Sequence, residues 1–352
     1  MTIPGNYHTH TQFCDGSNTA EEMIEQALQL GFSSLGFSSH CDPPQGVSMD
    51  VDAYLAEIRS LQEKYRDKLE ILRGVELDNV MSPDMAPDVE YRIGSTHMIP
   101  PAGHPAWDHP LSVTEVRELC DAYCNKASHH SAVGSCCGIP SAPADMQGAD
   151  NRNTEPDCGF LCVDYKPENM HTLCHAWYDG DYYALAADYF RFESAVARRT
   201  RPAFIGHFDL VTRFNDLPAE DGGAFLNESD PLYLRAACDA MEQIIRDGVR
   251  HFEVNCGATN RGRKKEPYPS LPLLRKLREL GGEMVISSDA HNRKLLNSGF
   301  DDALRIVKDC GFSHINLLTR KETDIPAVNT VQDIRFTDGR ANVPLYWKSL
   351  SI

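Results

Sequence analysis

No basic, apolar, small-residue run opens the chain, and nowhere do eighteen apolar residues follow one another. Neither a secretory signal nor a membrane span is therefore expected, and the cytoplasm is the default location. Basic residues are scarce. Thirty-four lysines and arginines stand against fifty-one acids, a formal charge of −17, which repels a phosphate backbone over most of the surface and argues against nucleic acid as a partner. No Gly-x-Gly-x-x-Gly fingerprint follows a strand pattern, and there is neither a Walker-type loop nor a solenoid repeat, so a glycine loop cradling a nucleotide is unsupported. The twelve cysteines form no C-x2-C pair; without a secretory signal they read as reduced thiols.

What is present is enough for a large core: 352 residues, 41% hydrophobic and 24% charged. Thr19-Ala20-Glu21-Glu22 reads as a capping box for a helix to Leu30, and Ser34 to Phe37 as a short apolar strand ending before His40. Asp50 caps a second helix, after which Leu69 to Leu77 reads as a strand carrying Glu76. The run from Arg92 to His97, the strand before His207, the strand Phe252 to Asn255 and the strand Glu283 to Ser287 repeat the pattern, with helices between them. Chemistry recurring at strand ends predicts a parallel α/β barrel, with a doubly wound open sheet as the alternative. The barrel is favoured because only a closed ring points so many strand ends at one centre.

Six histidines, His8, His10, His40, His97, His207 and His291, and three acids, Asp15, Glu76 and Asp289, sit at or just beyond these strand ends. Imidazole and carboxylate together suit zinc, iron or manganese, and the set exceeds what one ion needs, so two or three divalent transition-metal ions are implied. His8 and His10, two apart, share a face and can clamp an ion, as can Asp289 and His291. Glu76 lies within the apolar run Val75-Glu76-Leu77, where a carboxylate is costly unless paired or metal-bound.

From Ala127 to Asp181 the chain is rich in Gly, Pro, Ser, Asn, Asp and Cys and reads as an irregular insertion, following a helix from Val113 to Lys126. Seven cysteines between Cys120 and Cys174 leave open a separate zinc knot or a loosely packed lid. Cys14 and Cys41 read as wall residues beside the ligands. Residues 321–352 read as a polar tail.

His8-x-His10, Gly36-Phe37-Ser38-Ser39-His40, Gly74-Val75-Glu76-Leu77-Asp78, Gly94-Ser95-x-His97, Gly206-His207-x-Asp209 and Ser288-Asp289-Ala290-His291 together resemble the polymerase and histidinol phosphatase (PHP) family. Glu253-x-Asn255 and Glu266-Pro267-Tyr268-Pro269-Ser270 resemble its histidinol-phosphatase branch. The resemblance implies a distorted parallel (β/α)7 TIM-like barrel over residues 1–320, interrupted by the insertion at 127–181. It implies a first ion on His8, His10, Glu76 and Asp289, a second shared by Glu76 with His97 and His207, and a third on Asp15, His40 and His291. Glu76, Asp289 and His291 would carry the catalytic roles. The implied activity is metal-dependent hydrolysis of a small phosphate monoester, L-histidinol phosphate, by a hydroxide held between ions. Alternatives are another small phosphate such as a nucleotide, or a non-catalytic metal-stabilised scaffold. A phosphate dianion also calls for guanidinium groups, and Arg213, Arg261 and Arg263 are the candidates; Lys264 and Lys265 read as surface residues.

Overall fold

The computed structural model describes residues 2–41, 49–112, 114–115, 118, 160–323, 325–326 and 344–352. Most of the expected helix from Val113 to Lys126 and the segment 127–159, with most of the clustered cysteines, lie outside the described residues. The strands are β1 (Gly5–Asn6), β2 (Ser34–Phe37), β3 (Glu70–Asp78), β4 (Tyr91–Ser95), β5 (Met98–Ile99), β6 (Leu161–Cys162), β7 (Phe204–Ile205), β8 (His251–Asn255), β9 (Glu283–Ser287), β10 (His314–Thr319), β11 (Ile325–Pro326) and β12 (Tyr346–Ser351). Seven of them form one sheet in the order β1-β2-β3-β4-β7-β8-β9, every neighbouring pair parallel. The sheet curls until its edges meet. Just past β1 and β9, Thr9 bridges Ala290 in parallel, His10 N–H donates to the Ala290 carbonyl at 2.9 Å and Ala290 N–H to the His8 carbonyl at 3.2 Å.

Local signals set the outer helices. Thr19 and Glu22 form the reciprocal capping box of helix Ala20–Gln29, which buries Met23, Ile24 and Ala27. Asp50 accepts the Ala53 N–H at the start of Val51–Tyr65, and Asp230 caps Pro231–Arg246 with proline at the first helical position.

Inside the ring, Tyr91 fills space that two neighbouring strands leave open. A Cβ on Gly74 would lie 2.3 Å from its ring, and one on Gly36 2.3 Å from its hydroxyl, so only glycine fits at either point. The Tyr91 hydroxyl donates to the carbonyls of Tyr7 at 2.7 Å and Phe37 at 3.1 Å.

Two expectations are corrected. Residues 160–181 of the supposed irregular insertion contain β6, antiparallel to β5, and the helix Pro167–Tyr178. In that helix Met170, Leu173, Cys174, Trp177 and Tyr178 recur at the three- and four-residue spacing that puts them on one face. Phe160, Leu161 and Val163 are buried as well. The supposed polar tail contributes β12, which pairs antiparallel with β10 along its whole length. From β12, Trp347 (1% exposed) stacks on His251 with ring centroids 3.9 Å apart and meets Phe204 edge-on, closing the end of the barrel opposite the strand-end histidines.

Removing that closure should be costly. Trp347→Ala is expected to lower unfolding free energy by about 3–5 kcal/mol, the usual penalty for truncating a buried aromatic, measured by denaturant titration. His251 should give the fold an acid limb. Burial, with His314 adding to it, pushes His251 down to about 3, so the unfolded chain takes up the proton first. Stability due to this group is complete above its unfolded value near 6.5 and is lost as pH falls toward 3. His251→Gln should flatten that part of the stability–pH curve.

Candidate metal centre

The nine candidate ligands converge at the carboxyl ends of the barrel strands. His8 and His10 follow β1, His40 follows β2, Glu76 is on β3, His97 follows β4, His207 follows β7, and Asp289 and His291 follow β9. Parallel strands tilted round one axis deliver exactly this end of each strand to a common mouth. The geometry is centred on Glu76, which is 1% exposed. Its Oε2 lies 3.0 Å from His8 Nε2, 3.5 Å from His10 Nε2 and 3.2 Å from His40 Nδ1. Its Oε1 lies 2.8 Å from His207 Nε2 and 3.3 Å from His97 Nε2, and accepts the Ser95 hydroxyl at 2.7 Å. One carboxylate thus faces two separate histidine sets. Asp289 Oδ1 lies 3.2 Å from His10 Nε2, and Asp15 lies 3.0 Å from His291 Nε2 and 3.6 Å from His10 Nδ1.

These side chains fit metal. Three overlapping groups hold donor atoms within 4.8 Å of one another: His8, His10 and Glu76; His40, Glu76 and His97; and His10, Asp15, His40 and His291. His10 Nε2 and His40 Nδ1 are buried and make no hydrogen bond, although a carboxylate oxygen lies 3.2 Å from each. Lone pairs aimed at a shared point, rather than at each other, produce that result. Burial, reinforced by His291 and His40, pushes His10 down to about 3, keeping it a neutral donor. Burial opposes charge on Glu76, but His8, His40, His97 and His207 outweigh it and hold the carboxyl well below its ordinary range. On His8, likewise, burial is outweighed by Glu253, Glu76 and Asp289, which raise it. Three buried carboxylates around one imidazole are a negative excess that divalent cations neutralise. Asp289 also adopts a left-handed backbone, with φ of 50°, a strain usually met where function over-determines the position.

A second layer holds the ligands, and the sequence reading missed it. Glu253 on β8 sits 2.6 Å from His8 Nδ1 and accepts the His207 backbone N–H at 2.9 Å and the Asn255 amide at 2.8 Å. Asp78, two residues along β3 from Glu76 and so on the same face, accepts the His97 backbone N–H at 2.7 Å and lies 3.2 Å from its Nδ1. Such partners fix the ring orientation and the coordinating nitrogen.

The three candidate arginines are set differently. Arg261 enters the centre itself, donating to Asp289 Oδ2 at 3.1 Å and to the Asp289 carbonyl at 3.3 Å. The close approach needs Gly257, where a Cβ would lie 2.5 Å from Asp289 Oδ2. Arg213 pairs with Asp164 at 3.2 Å. Arg263 is exposed, and partial desolvation, then the charges of Arg213 and Arg261, lower its pKa. Lys264 is not a surface residue. It is 7% exposed and donates to Thr212 at 2.9 Å and Glu228 at 3.0 Å. The described cysteines are all free, and burial pushes the Cys14 thiol up to about 12, which suits a wall residue rather than a nucleophile.

A family model for the PHP domain matches residues 6–256. The chain belongs to the PHP domain family. Named relatives of this PHP protein are distant but span its length. A Schizosaccharomyces pombe protein named a probable histidinol-phosphatase is 23% identical over 337 residues, 90% of each chain. One of the same name from Deinococcus radiodurans is 25% identical over 338 residues, 91% of this chain and 99% of the relative. Two solved structures show the same fold. A Listeria monocytogenes structure named a putative histidinol phosphatase superposes with a TM-score of 0.58 at 16% identity, covering 85% of this chain and 99% of that one. The histidinol phosphate phosphatase of Lactococcus lactis, solved with zinc, L-histidinol and phosphate, gives 0.54 at 17% identity over 89% and 95%.

The second layer predicts its own phenotype. Glu253→Gln leaves every ligand in place but weakens the hold on His8, so metal affinity should fall about 10- to 100-fold, read by competition with a chromophoric chelator while the circular dichroism spectrum stays unchanged.

Proposed function

We propose that this PHP protein is a metal-dependent phosphomonoesterase that hydrolyses L-histidinol phosphate to L-histidinol and phosphate. The observation that carries the reading is the division of Glu76, with one oxygen turned to His8, His10 and His40 and the other to His97 and His207. A scaffold needs no carboxylate arranged to serve two ions. His8, His10, Glu76 and Asp289 would hold the first ion, Glu76, His97 and His207 the second, and Asp15, His40 and His291 the third. When bound, the ions supply charge neutralisation at the phosphoryl oxygens and a nucleophile available at neutral pH. The names of the full-length relatives and the L-histidinol and phosphate held by the Lactococcus lactis neighbour support the choice of substrate.

The chain's own residues do the rest. Arg261, already seated on Asp289, would turn its remaining donors to the phosphate, with Arg213 and Arg263 beside it. Guanidinium forks match a phosphoryl dianion in shape and charge. Asp289, anchored by Arg261 and strained at its backbone, would be held in one orientation as a ligand. We assign the described barrel and its carboxyl-terminal strands to one catalytic domain.

The test is phosphate release from a panel of small phosphate monoesters that includes histidinol phosphate. Turnover should be highest on histidinol phosphate, vanish on chelation and return with zinc or manganese. Glu76→Gln should abolish it and lower metal content while the fold survives; turnover near wild type would reject the shared carboxylate. Alanine at the phosphate-anchoring arginine should depress kcat/KM about ten- to a hundredfold, the equivalent of about 1.5 to 3 kcal/mol for a charge-assisted hydrogen bond, with metal content constant.

A further inference from the structure

Beside the metal centre, and apart from it, lies a cavity of about 570 Å³, a volume within the usual range for small-molecule sites. None of the nine metal ligands lines it, nor do Arg213, Arg261 and Arg263. Its floor is the turn after β8, including Cys256 and Asn260, and its walls are helices Leu271–Glu279 and Phe300–Asp309. Some of its charges cancel internally, since Arg305 lies 3.4 Å from Asp302 and 3.7 Å from Asp309. Others do not. Among the described residues the guanidinium of Arg275, the ammonium of Lys265 and the carboxylate of Glu266 make no ion pair or side-chain hydrogen bond. All three line this one cavity. Two free cations, one free anion and the apolar flank of Leu271 and Ile306 complement a molecule that carries a carboxylate, an ammonium group and a side chain.

We propose that this cavity binds a free amino acid, its carboxylate on Arg275 and Lys265 and its ammonium group on Glu266. The floor gives such a ligand a route to the metal centre. Asn260 ties to the Ser298 carbonyl at 3.1 Å, its backbone N–H closes on Cys256 at 2.9 Å, and the next residue, Arg261, closes on Gly257 at 3.2 Å before reaching Asp289. An occupant that moves the turn moves Arg261. The binding statement stands without the phosphatase reading; the effect on turnover rests on it.

Isothermal titration calorimetry of the metal-loaded protein with L-histidine, L-glutamate and L-lysine separates the two. At least one should bind at a single site, and Arg275→Ala, on an exposed helix face, should weaken it about tenfold, the loss typical of one charge-assisted hydrogen bond. The same amino acid should change kcat/KM in wild type and lose that effect in Arg275→Ala, whose basal turnover stays unchanged. If no amino acid binds, the site does not exist. Binding that Arg275→Ala and Glu266→Gln leave unaltered would place the amino acid on the metals and overturn the proposal. Binding that is lost in the variants without any effect on turnover would retain the site and reject its coupling to Arg261. If the protein shows no phosphatase activity at all, the calorimetry still decides the site.

Discussion

A carboxylate buried at the end of a barrel has to be compensated, and in this chain the compensation of Glu76 organises everything around it. Taking an unpaired carboxylate out of water costs several kcal/mol. Five histidines from four different strand ends lie within 3.5 Å of its two oxygens. The demand does not stop there, because buried imidazoles need partners of their own, and Glu253 and Asp78 supply them from behind. Each layer fixes the next, from Glu76 to the histidines to the outer acids to the strands that carry them.

The two ends of the barrel do different work. The carboxyl end is polar and unsatisfied by protein alone, with lone pairs left open on His10 and His40. The opposite end is filled by Tyr91, Phe204 and Trp347, stacked and tilted against one another with His251. Stability is concentrated where nothing needs to bind, which leaves the mouth free to hold strained and charged groups such as Asp289.

Much of this was legible in the sequence, for a physical reason. Short apolar runs bounded by glycine gave β2 and β9 to the residue, and parallel topology put the ligands just past them. The acid in Phe252-Glu253-Val254 carried the same signature as Val75-Glu76-Leu77, a charge inside an apolar run, yet it counted only as part of a resemblance. Asp78 was hidden because an acid at the end of a strand also suits a turn. The helix Pro167–Tyr178 was obscured by its composition: histidine, cysteine, asparagine and proline suggest a loop, while the spacing of Met170, Leu173, Cys174 and Trp177 was helical. β12 offered a short run, Tyr346 to Ser351, in which Trp347 and Leu350 are interspersed with lysine and serine, and its partners lie across a sheet that sequence order does not announce. Lys264 is buried by a tertiary pair with Glu228 that no local pattern encodes.

The seam of the barrel runs through the candidate metal ligands. His8 and His10 meet Ala290, between Asp289 and His291, by backbone hydrogen bonds, and Asn6 reaches Ser288 at 2.6 Å. The site proposed for the first ion therefore draws its residues from both ends of the ring. A chain leaving the ribosome exposes His8 and His10 at once, but Asp289 arrives only after nearly the whole barrel has been made. On the proposed assignment, the first site is therefore completed by the same backbone contacts that close the ring.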